Sequence, residues 1–209
     1  MTARLATPKA VVFDLDGTLV DTAPDLGATL NRLLAAMIGD GTPKFVERGF
    51  EATGGVPGEL APLVHRFLTL YEGALVDTSR PYPGTEAMLA ALAGQGVRLA
   101  VCTNKPSTHT ALLLQTLGLD HWFQAVVGGD VPNRKPHPDH LLRTLRLLGV
   151  DAASAVMVGD SENDVAAARA AGLPVVVVSF GYSRLPAAEL GGDALISHMD
   201  ELPPLLGLA

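Results

Sequence analysis

Short apolar runs alternate with helical patterns along most of this chain, and this alternation restricts the possible folds more than any other feature. It is typical of βαβ units, in which parallel strands are buried between two layers of helices. The sequence therefore predicts an α/β fold with a doubly wound parallel sheet. The predicted strands are 9–13, 97–102, 125–127, 155–158 and 175–179, and the predicted helices between them are 85–93, 107–117, 138–148 and 164–171.

One long segment interrupts this pattern directly after the first predicted strand. From residue 21 to residue 80 the apolar residues recur only at helical spacing, with a Gly-rich break at 38–43. We therefore expect a small all-helical cap at 21–80, inserted into a core that is formed by residues 1–20 and 81–209.

The composition narrows the class of partner. The 209-residue chain is 48% hydrophobic and has a formal net charge of −7, without a block of basic residues. We expect no nucleic-acid partner, because phosphate backbones select basic surfaces. The apolar runs are too short for a membrane span and no signal-peptide pattern is present, so we expect no membrane association and a cytoplasmic location.

The single cysteine, Cys102, lies in an apolar run and predicts a buried thiol.

Carboxylates follow two of the predicted strands at their carboxyl ends, where open parallel sheets bind ligands. Asp14 and Asp16 follow the first strand, and Asp160 follows a later one. Carboxylate and carbonyl oxygens are preferred ligands of Mg²⁺, so Asp14, Asp160 and the backbone carbonyl of Asp16 form a candidate metal site. An ionised Asp14 can also attack phosphorus, and a second carboxyl two residues later can transfer protons.

Two other kinds of site fit the sequence poorly. A calcium-binding EF-hand loop needs Gly at its sixth position, but the residues there are Leu19, counted from Asp14, and Val165, counted from Asp160. The chain also lacks a Walker-type Gly-Lys-Ser/Thr run and a Gly-x-Gly-x-x-Gly after the first strand, which argues against nucleotide binding.

Four motifs in chain order resemble those of the haloacid dehalogenase superfamily of phosphatases, and within it the branch similar to phosphoglycolate phosphatases. The resemblance covers residues 8 to 205, and four motifs together make it specific. The motifs are AVVFDLDGTLVDT at 10–22, CTNKP at 102–106, RKPHPD at 134–139 and MVGDSENDVAAARAAG at 157–172.

The resemblance implies a role for individual motif residues. Asp14 would be the nucleophile and a metal ligand, and Asp16 the general acid/base, with its backbone carbonyl on the metal. Asp160 would bind Mg²⁺, and Asp164 would orient Lys135 or a metal-bound water. The residues that would bind the transferring phosphoryl group are Thr103, Asn104 and Lys135.

Some of these positions have simpler interpretations when taken alone. Thr103 and Asn104 could cap the helix that follows them, and Ser161 could cap the helix that begins there. His137 and His140 are predicted to be loop and helix-surface groups rather than metal ligands.

The resemblance implies a Mg²⁺-dependent phosphomonoesterase that forms an aspartyl-phosphate and acts on a small phosphorylated metabolite, 2-phosphoglycolate being the expected substrate. The alternatives are a phosphatase for another small phosphate ester or sugar phosphate, a sugar phosphomutase, and a binding protein without activity. A dehalogenase is disfavoured, because that chemistry needs neither Asp16 nor a metal. The expected oligomeric state is a monomer or a homodimer.

The cap is the part that departs from the family. Little sequence separates Met37 from the Gly-rich break, so the cap is predicted to be shorter than is usual in this branch. Lys44, beside two glycines, is a candidate for binding the carboxylate of a small acidic substrate at a helix N-terminus. A simple interhelix turn with Lys44 in solvent is an equal alternative.

Overall fold

The computed structural model describes residues 5–28, 69, 73, 76–183 and 185–208. The chain divides into two compact units. One consists of Met1–Asp21 with Arg80–Ala209, and the other is Thr22–Ser79.

The described part of the first unit contains a six-stranded sheet and a two-stranded ribbon. All neighbouring strands of the sheet are parallel, in the order β5-β4-β1-β6-β7-β8, while β2 and β3 pair antiparallel as the ribbon. The strands β1 to β8 are, in chain order, Ala10–Phe13, Val20–Asp21, Arg80–Pro81, Arg98–Cys102, Ala125–Val127, Ala155–Gly159, Val175–Val178 and Ala194–Ile196.

Helices cover both faces of the sheet, which explains why its central strands are apolar throughout. Successive side chains of a strand point to opposite faces. Ala10 and Val12 of β1 lie in a buried cluster with residues of α3 and α4, whereas α1 and α5 pack together on the opposite face. The helices α1 to α5 are Thr85–Gly94, Ser107–Thr116, Asp139–Leu148, Glu162–Ala171 and Leu202–Leu205, and 3₁₀ turns occur at Asp120–Trp122, Ala152–Ser154, Ala187–Glu189 and Met199–Glu201.

The predicted α/β fold with a doubly wound parallel sheet is confirmed, and so is the burial of the Cys102 thiol. The sequence pattern did not reveal β8 or α5, because segments of three or four residues are too short to show a period. The prediction of an entirely helical stretch from 21 to 80 is wrong at its two ends. Asp21 and Arg80 are opposite each other in the antiparallel ribbon instead.

Within the second unit, Asp25 joins the two chain segments at which the unit begins and ends. Residues 23–28 are helical, and the buried carboxylate of Asp25 accepts hydrogen bonds from Thr78 N at 2.9 Å, Thr78 Oγ1 at 2.6 Å and Ser79 N at 2.7 Å. Burial raises the pKa of Asp25, but these hydrogen bonds lower it by more, so the net shift is downward. Hydrogen bonds to a charged group contribute about 1.5–3 kcal/mol each, which makes Asp25 a firm link.

The remaining predictions for the cap concern residues outside the described part of the chain. Lys44 and the segment that follows Met37 both lie there. The helical content of the cap and its shortness therefore stay predictions.

The strand order places a binding crevice at the centre of the sheet. The chain moves from β1 outward through β4 and β5, and then crosses to the other side of β1 with β6. The carboxyl ends of β1, β4 and β6 therefore meet where the order reverses, which is where doubly wound sheets bind ligands. Among the residues that the structure describes, no helix has the length and apolar character needed to cross a bilayer.

Candidate active site

A small polar cavity lies at the carboxyl ends of β1 and β4. Its volume is about 200 Å³, and every residue that lines it belongs to the first unit. Most of the residues that were predicted to act on a phosphate group are among those that line it. They are Asp14, Asp16, Thr103, Asn104, Lys105, Lys135, Ser161 and Asn163.

Asp14 leaves β1 with its backbone N–H bonded to Val158 O of β6, so the neighbouring strand fixes its position. The Nζ atom of Lys135 lies 2.8 Å from Asp14 Oδ1 and 2.6 Å from Asp164 Oδ1. All three side chains are buried. Burial lowers the pKa of the Lys135 ammonium, but the carboxylates of Asp14 and Asp164 raise it by more, so the lysine keeps its charge.

Asp164 is held from its other side by the start of α4. Its Oδ2 accepts hydrogen bonds from Ser161 N at 3.0 Å and from Ser161 Oγ at 2.6 Å. The side chain of Ser161 in turn bonds the backbone of Asp164, the third residue of the helix, so the two residues form a capping box. The capping interpretation of Ser161 is confirmed. Because both oxygens of Asp164 are engaged, this carboxylate fixes the position of Lys135.

The carboxylate of Asp160 lies against two loops that contain glycine. Tyr182 N donates to Asp160 Oδ2 at 2.7 Å, and the backbone of Gly17 and Gly181 approaches the same carboxylate closely. A Cβ atom at Gly181 would lie 2.1 Å from Asp160 Cβ, and one at Gly17 would lie 2.6 Å from Asp160 Oδ2. Gly17 also has a φ of +77°, which favours glycine. The position of Asp160 thus depends on the absence of side chains at two points.

Asp14, Asp160 and Asp164 form a buried cluster in which one carboxylate oxygen from each residue lies within 4.8 Å of the others. Burial raises the pKa of Asp14 to about 7 against the opposing effect of Lys135, and the charges of Asp164 and Asp160 raise it too. Burial also raises the pKa of Asp160 to about 6. The three carboxylates carry more negative charge than the single ammonium of Lys135 neutralises. Their hard oxygen atoms therefore fit a hard metal cation.

Asp16 is paired with a second lysine. Lys105 Nζ lies 3.0 Å from Asp16 Oδ1, and the two side chains are 5% and 24% exposed, respectively. The motif at 102–106 contains Lys105, but a loop motif does not show which carboxylate a lysine contacts.

Thr103 and Asn104 do not cap the helix that follows them, so that simpler interpretation is wrong. The N-cap of α2 is Pro106, without a capping side chain. Thr103 is buried at the edge of the cavity, and its Oγ1 accepts a hydrogen bond from Lys105 N at 3.2 Å. Asn104 Nδ2 donates to Lys135 O at 2.9 Å, so this amide connects the loop after β4 to the loop that carries Lys135.

His140 is not the surface group that the sequence predicted. It is 1% exposed, its Nδ1 accepts a hydrogen bond from Lys135 N at 3.2 Å, and its Nε2 lies 3.0 Å from Gly128 O. Burial lowers the pKa of His140, and the charge of Lys135 lowers it further, so the neutral ring is favoured. His140 therefore holds the backbone of Lys135. The signal available in the sequence was its position on the apolar side of a strongly amphipathic helix.

The fold and this site together define a class of enzyme: hydrolases that carry a buried aspartate cluster at the carboxyl edge of a doubly wound parallel sheet. Comparison with known families is consistent with that class, since the family described as haloacid dehalogenase-like hydrolase matches residues 11–178. The chain belongs to this family.

Named relatives confirm the resemblance that the sequence motifs indicated. A phosphoglycolate phosphatase of Rhodospirillum rubrum is 44% identical over 220 residues, covering 96% of this chain and 91% of the relative. One from Caulobacter vibrioides is 42% identical over 209 residues, covering 92% and 88%. A crystal structure of a predicted phosphoglycolate phosphatase from Haemophilus somnus is 32% identical with a TM-score of 0.83, covering 96% of this chain and 98% of that one.

Proposed function

We propose that this chain is a Mg²⁺-dependent phosphomonoesterase that hydrolyses 2-phosphoglycolate through an aspartyl-phosphate on Asp14. The observation that carries the proposal is the buried contact of Asp14 with Lys135 beside two further carboxylates. A nucleophilic carboxylate, a fixed cation for phosphoryl oxygens and an acidic metal site are the parts that phosphoryl transfer to aspartate requires. The choice of substrate is supported by relatives that carry the name phosphoglycolate phosphatase.

In the first half-reaction, a carboxylate oxygen of Asp14 attacks phosphorus and the bond from phosphorus to the ester oxygen breaks. Asp16 gives its proton to that oxygen, so the product leaves as an alcohol. Lys135 neutralises charge on the phosphoryl oxygens, and Thr103 and Asn104, from the loop after β4, contribute hydrogen-bond donors.

In the second half-reaction, a water molecule attacks phosphorus while Asp16 takes its proton. The bond between phosphorus and the Asp14 oxygen breaks, which releases inorganic phosphate and restores the Asp14 carboxylate and the acid form of Asp16. Splitting the displacement in this way makes each step easier than a direct attack of water.

The residues that would hold Mg²⁺ are Asp14, Asp160 and the backbone carbonyl of Asp16. When bound, the ion supplies positive charge to the phosphoryl group. The hydrogen bond from Tyr182 N to Asp160 Oδ2 and the engagement of Asp164 by Lys135 and Ser161 support this division between ligands and supporting residues.

A panel of small phosphate esters, assayed with and without Mg²⁺, tests the substrate and the metal together. We expect the highest kcat/KM for 2-phosphoglycolate in the presence of Mg²⁺. A higher value for a sugar phosphate, or the transfer of phosphate between positions of one sugar, would reassign the substrate and the reaction.

Asp14→Asn tests the covalent mechanism. An amide is neither a nucleophile nor an anionic ligand, so turnover should fall below about one per cent of the wild-type value. Acid-quenched wild-type enzyme should yield a phosphorylated peptide containing Asp14, and the variant should not. Asp151→Asn is the matched control, because Asp151 is exposed and precedes β6 at the opposite end of the strand. Equal turnover in Asp14→Asn and Asp151→Asn would contradict the mechanism.

A further inference from the structure

Lys105 is a buried cation at the cavity to which the proposed mechanism gives no part. Its side chain is 5% exposed, and its Nζ lies 3.0 Å from Asp16 Oδ1. Removing an ammonium from water is unfavourable unless an anion lies close to it. The carboxylate of Asp16 is such an anion.

Among the residues that the structure describes, two separate sets of ion-paired groups lie at the cavity. Lys135 bridges Asp14 and Asp164, whereas Lys105 contacts Asp16. The first set surrounds the proposed nucleophile, and the second contains the proposed acid/base. The two carboxylates that are two residues apart in the sequence are thus held by lysines from two different loops.

We propose that Lys105 is a positioning residue that holds the Asp16 carboxylate by its Oδ1 atom in the orientation needed for proton transfer to the leaving group. This inference rests on the proposed role of Asp16 as the general acid/base. It adds a residue to the acid step and says nothing of which phosphate ester is the substrate.

The chemistry of an ammonium group determines which carboxylate oxygen carries the proton. Lysine has three N–H donors and no acceptor, so Asp16 Oδ1 must accept from it. In the acid form of Asp16 the proton therefore resides on Oδ2. The terminal torsion of an aspartate is broad, and Asp16 is 24% exposed, so the contact with Lys105 restricts the rotation of its carboxyl group.

The backbone of the loop after β4 also fixes the position of Lys105 relative to Asp16. Lys105 follows Thr103 and Asn104 in the loop after β4, and Lys105 N donates to Thr103 Oγ1 at 3.2 Å. The loop that supplies the proposed phosphate-binding groups therefore also sets the position of the acid/base. A shift of that loop would move both the proposed phosphate-binding groups and the Asp16 carboxylate.

The test uses the acidity of the leaving group. A p-nitrophenolate departs without a proton, whereas an alkoxide needs one from the general acid. In Lys105→Met, kcat/KM should fall about 10- to 100-fold for ethyl phosphate and 2-phosphoglycolate, but stay within about threefold of wild type for p-nitrophenyl phosphate. Lys9→Met is the control and should change none of these values, because Lys9 is exposed at the opposite end of β1.

The double variant Asp16→Asn with Lys105→Met shows whether the lysine acts through Asp16. If it does, adding Lys105→Met to Asp16→Asn should cause no further loss for ethyl phosphate. The melting temperature of each variant is measured in parallel. If Lys105→Met does not fold, Lys105→Gln retains an N–H donor and should show the same selective loss, reduced in size.

Two results would overturn the inference. An equal loss for all three substrates would show that Lys105 supports the fold or the phosphate group, and a loss confined to 2-phosphoglycolate would show that it binds the carboxylate of the substrate. If wild-type enzyme hydrolyses ethyl and p-nitrophenyl phosphate but not 2-phosphoglycolate, the proposed substrate is wrong and the comparison for Lys105 still stands. If it hydrolyses none of the three, the proposed function itself fails.

Discussion

Single carboxylates in this protein differ in their surroundings, and these differences divide the chemistry among them. Asp14 and Asp160 are buried and have raised pKa values, whereas Asp16 is partly exposed and paired with a lysine. Asp164 is buried as well, but the start of α4 and Lys135 occupy both of its oxygens. Four aspartates near one cavity can therefore serve as nucleophile, acid/base, ligand and support.

The raised pKa values predict that metal binding depends on pH. In the metal-free protein the pKa is about 7 for Asp14 and about 6 for Asp160, so protons occupy the proposed ligand oxygens below these values. A cation must displace these protons, so Mg²⁺ affinity should rise with pH and level off above about pH 8. Calorimetry in two buffers with different ionisation enthalpies should show proton release near pH 6.5 and almost none near pH 8.5. Equal affinity and no proton release at both values would contradict the assignment of the ligands.

Among the elements, the short loop after β7 contacts Asp160 at the site, although Tyr182 in this loop is 22 positions from Asp160 in the sequence. This loop contains Gly181 and Tyr182, which both lie against the side chain of Asp160. The ring of Tyr82 packs on Phe180 of the same loop with a centroid distance of 4.5 Å, and Tyr82 OH donates to Phe180 O at 3.3 Å. The proposed metal site therefore depends on an element that supplies none of the proposed ligands.

Gly181→Ala tests this dependence. The added Cβ would lie 2.5 Å from Asp160 Oδ2, so the carboxylate or the loop must move. Changes in groups that orient a metal ligand typically weaken metal binding 10- to 100-fold, and we expect about tenfold weaker Mg²⁺ binding in a calorimetric titration. Gly94→Ala is the control, because a Cβ there meets nothing within 4 Å at the end of α1. The same Mg²⁺ affinity in both variants would show that the loop can adjust without moving Asp160.

At the scale of the whole molecule, the sheet determines where the site lies, but the stability of the sheet does not depend on the residues of the site. The six strands are held by parallel pairing and by apolar side chains on both faces, while the acidic cluster lies at the carboxyl edge. The chain leaves the first unit at Asp21 and returns at Arg80, and these two residues pair in the ribbon. An insertion whose ends lie side by side leaves the order of the sheet unchanged.

The independence of core and site predicts the effect of a chelator. Removing Mg²⁺ should stop turnover, leave the far-ultraviolet circular dichroism spectrum unchanged and lower the melting temperature by no more than about 10 °C. The physical reason is that the metal stabilises the folded state only by mass action on one edge site. Loss of the circular dichroism signal on chelation would mean that the metal is structural.

Local patterns in the chain were enough to predict the parallel sheet, its bordering helices and the aspartates that follow β1 and β6. Strand and helix periods are properties of neighbouring residues. A motif that directly follows a predicted strand is located in the fold by that strand. The role of His140, the pairing of Lys105 with Asp16 and the contact of Gly181 with Asp160 were decided only by the tertiary structure. Lys105 and Asp16 are 89 positions apart, and Tyr182, beside Gly181, is 22 positions from Asp160. Contacts of that range arise from how loops meet at the edge of a folded sheet, which no local period reports.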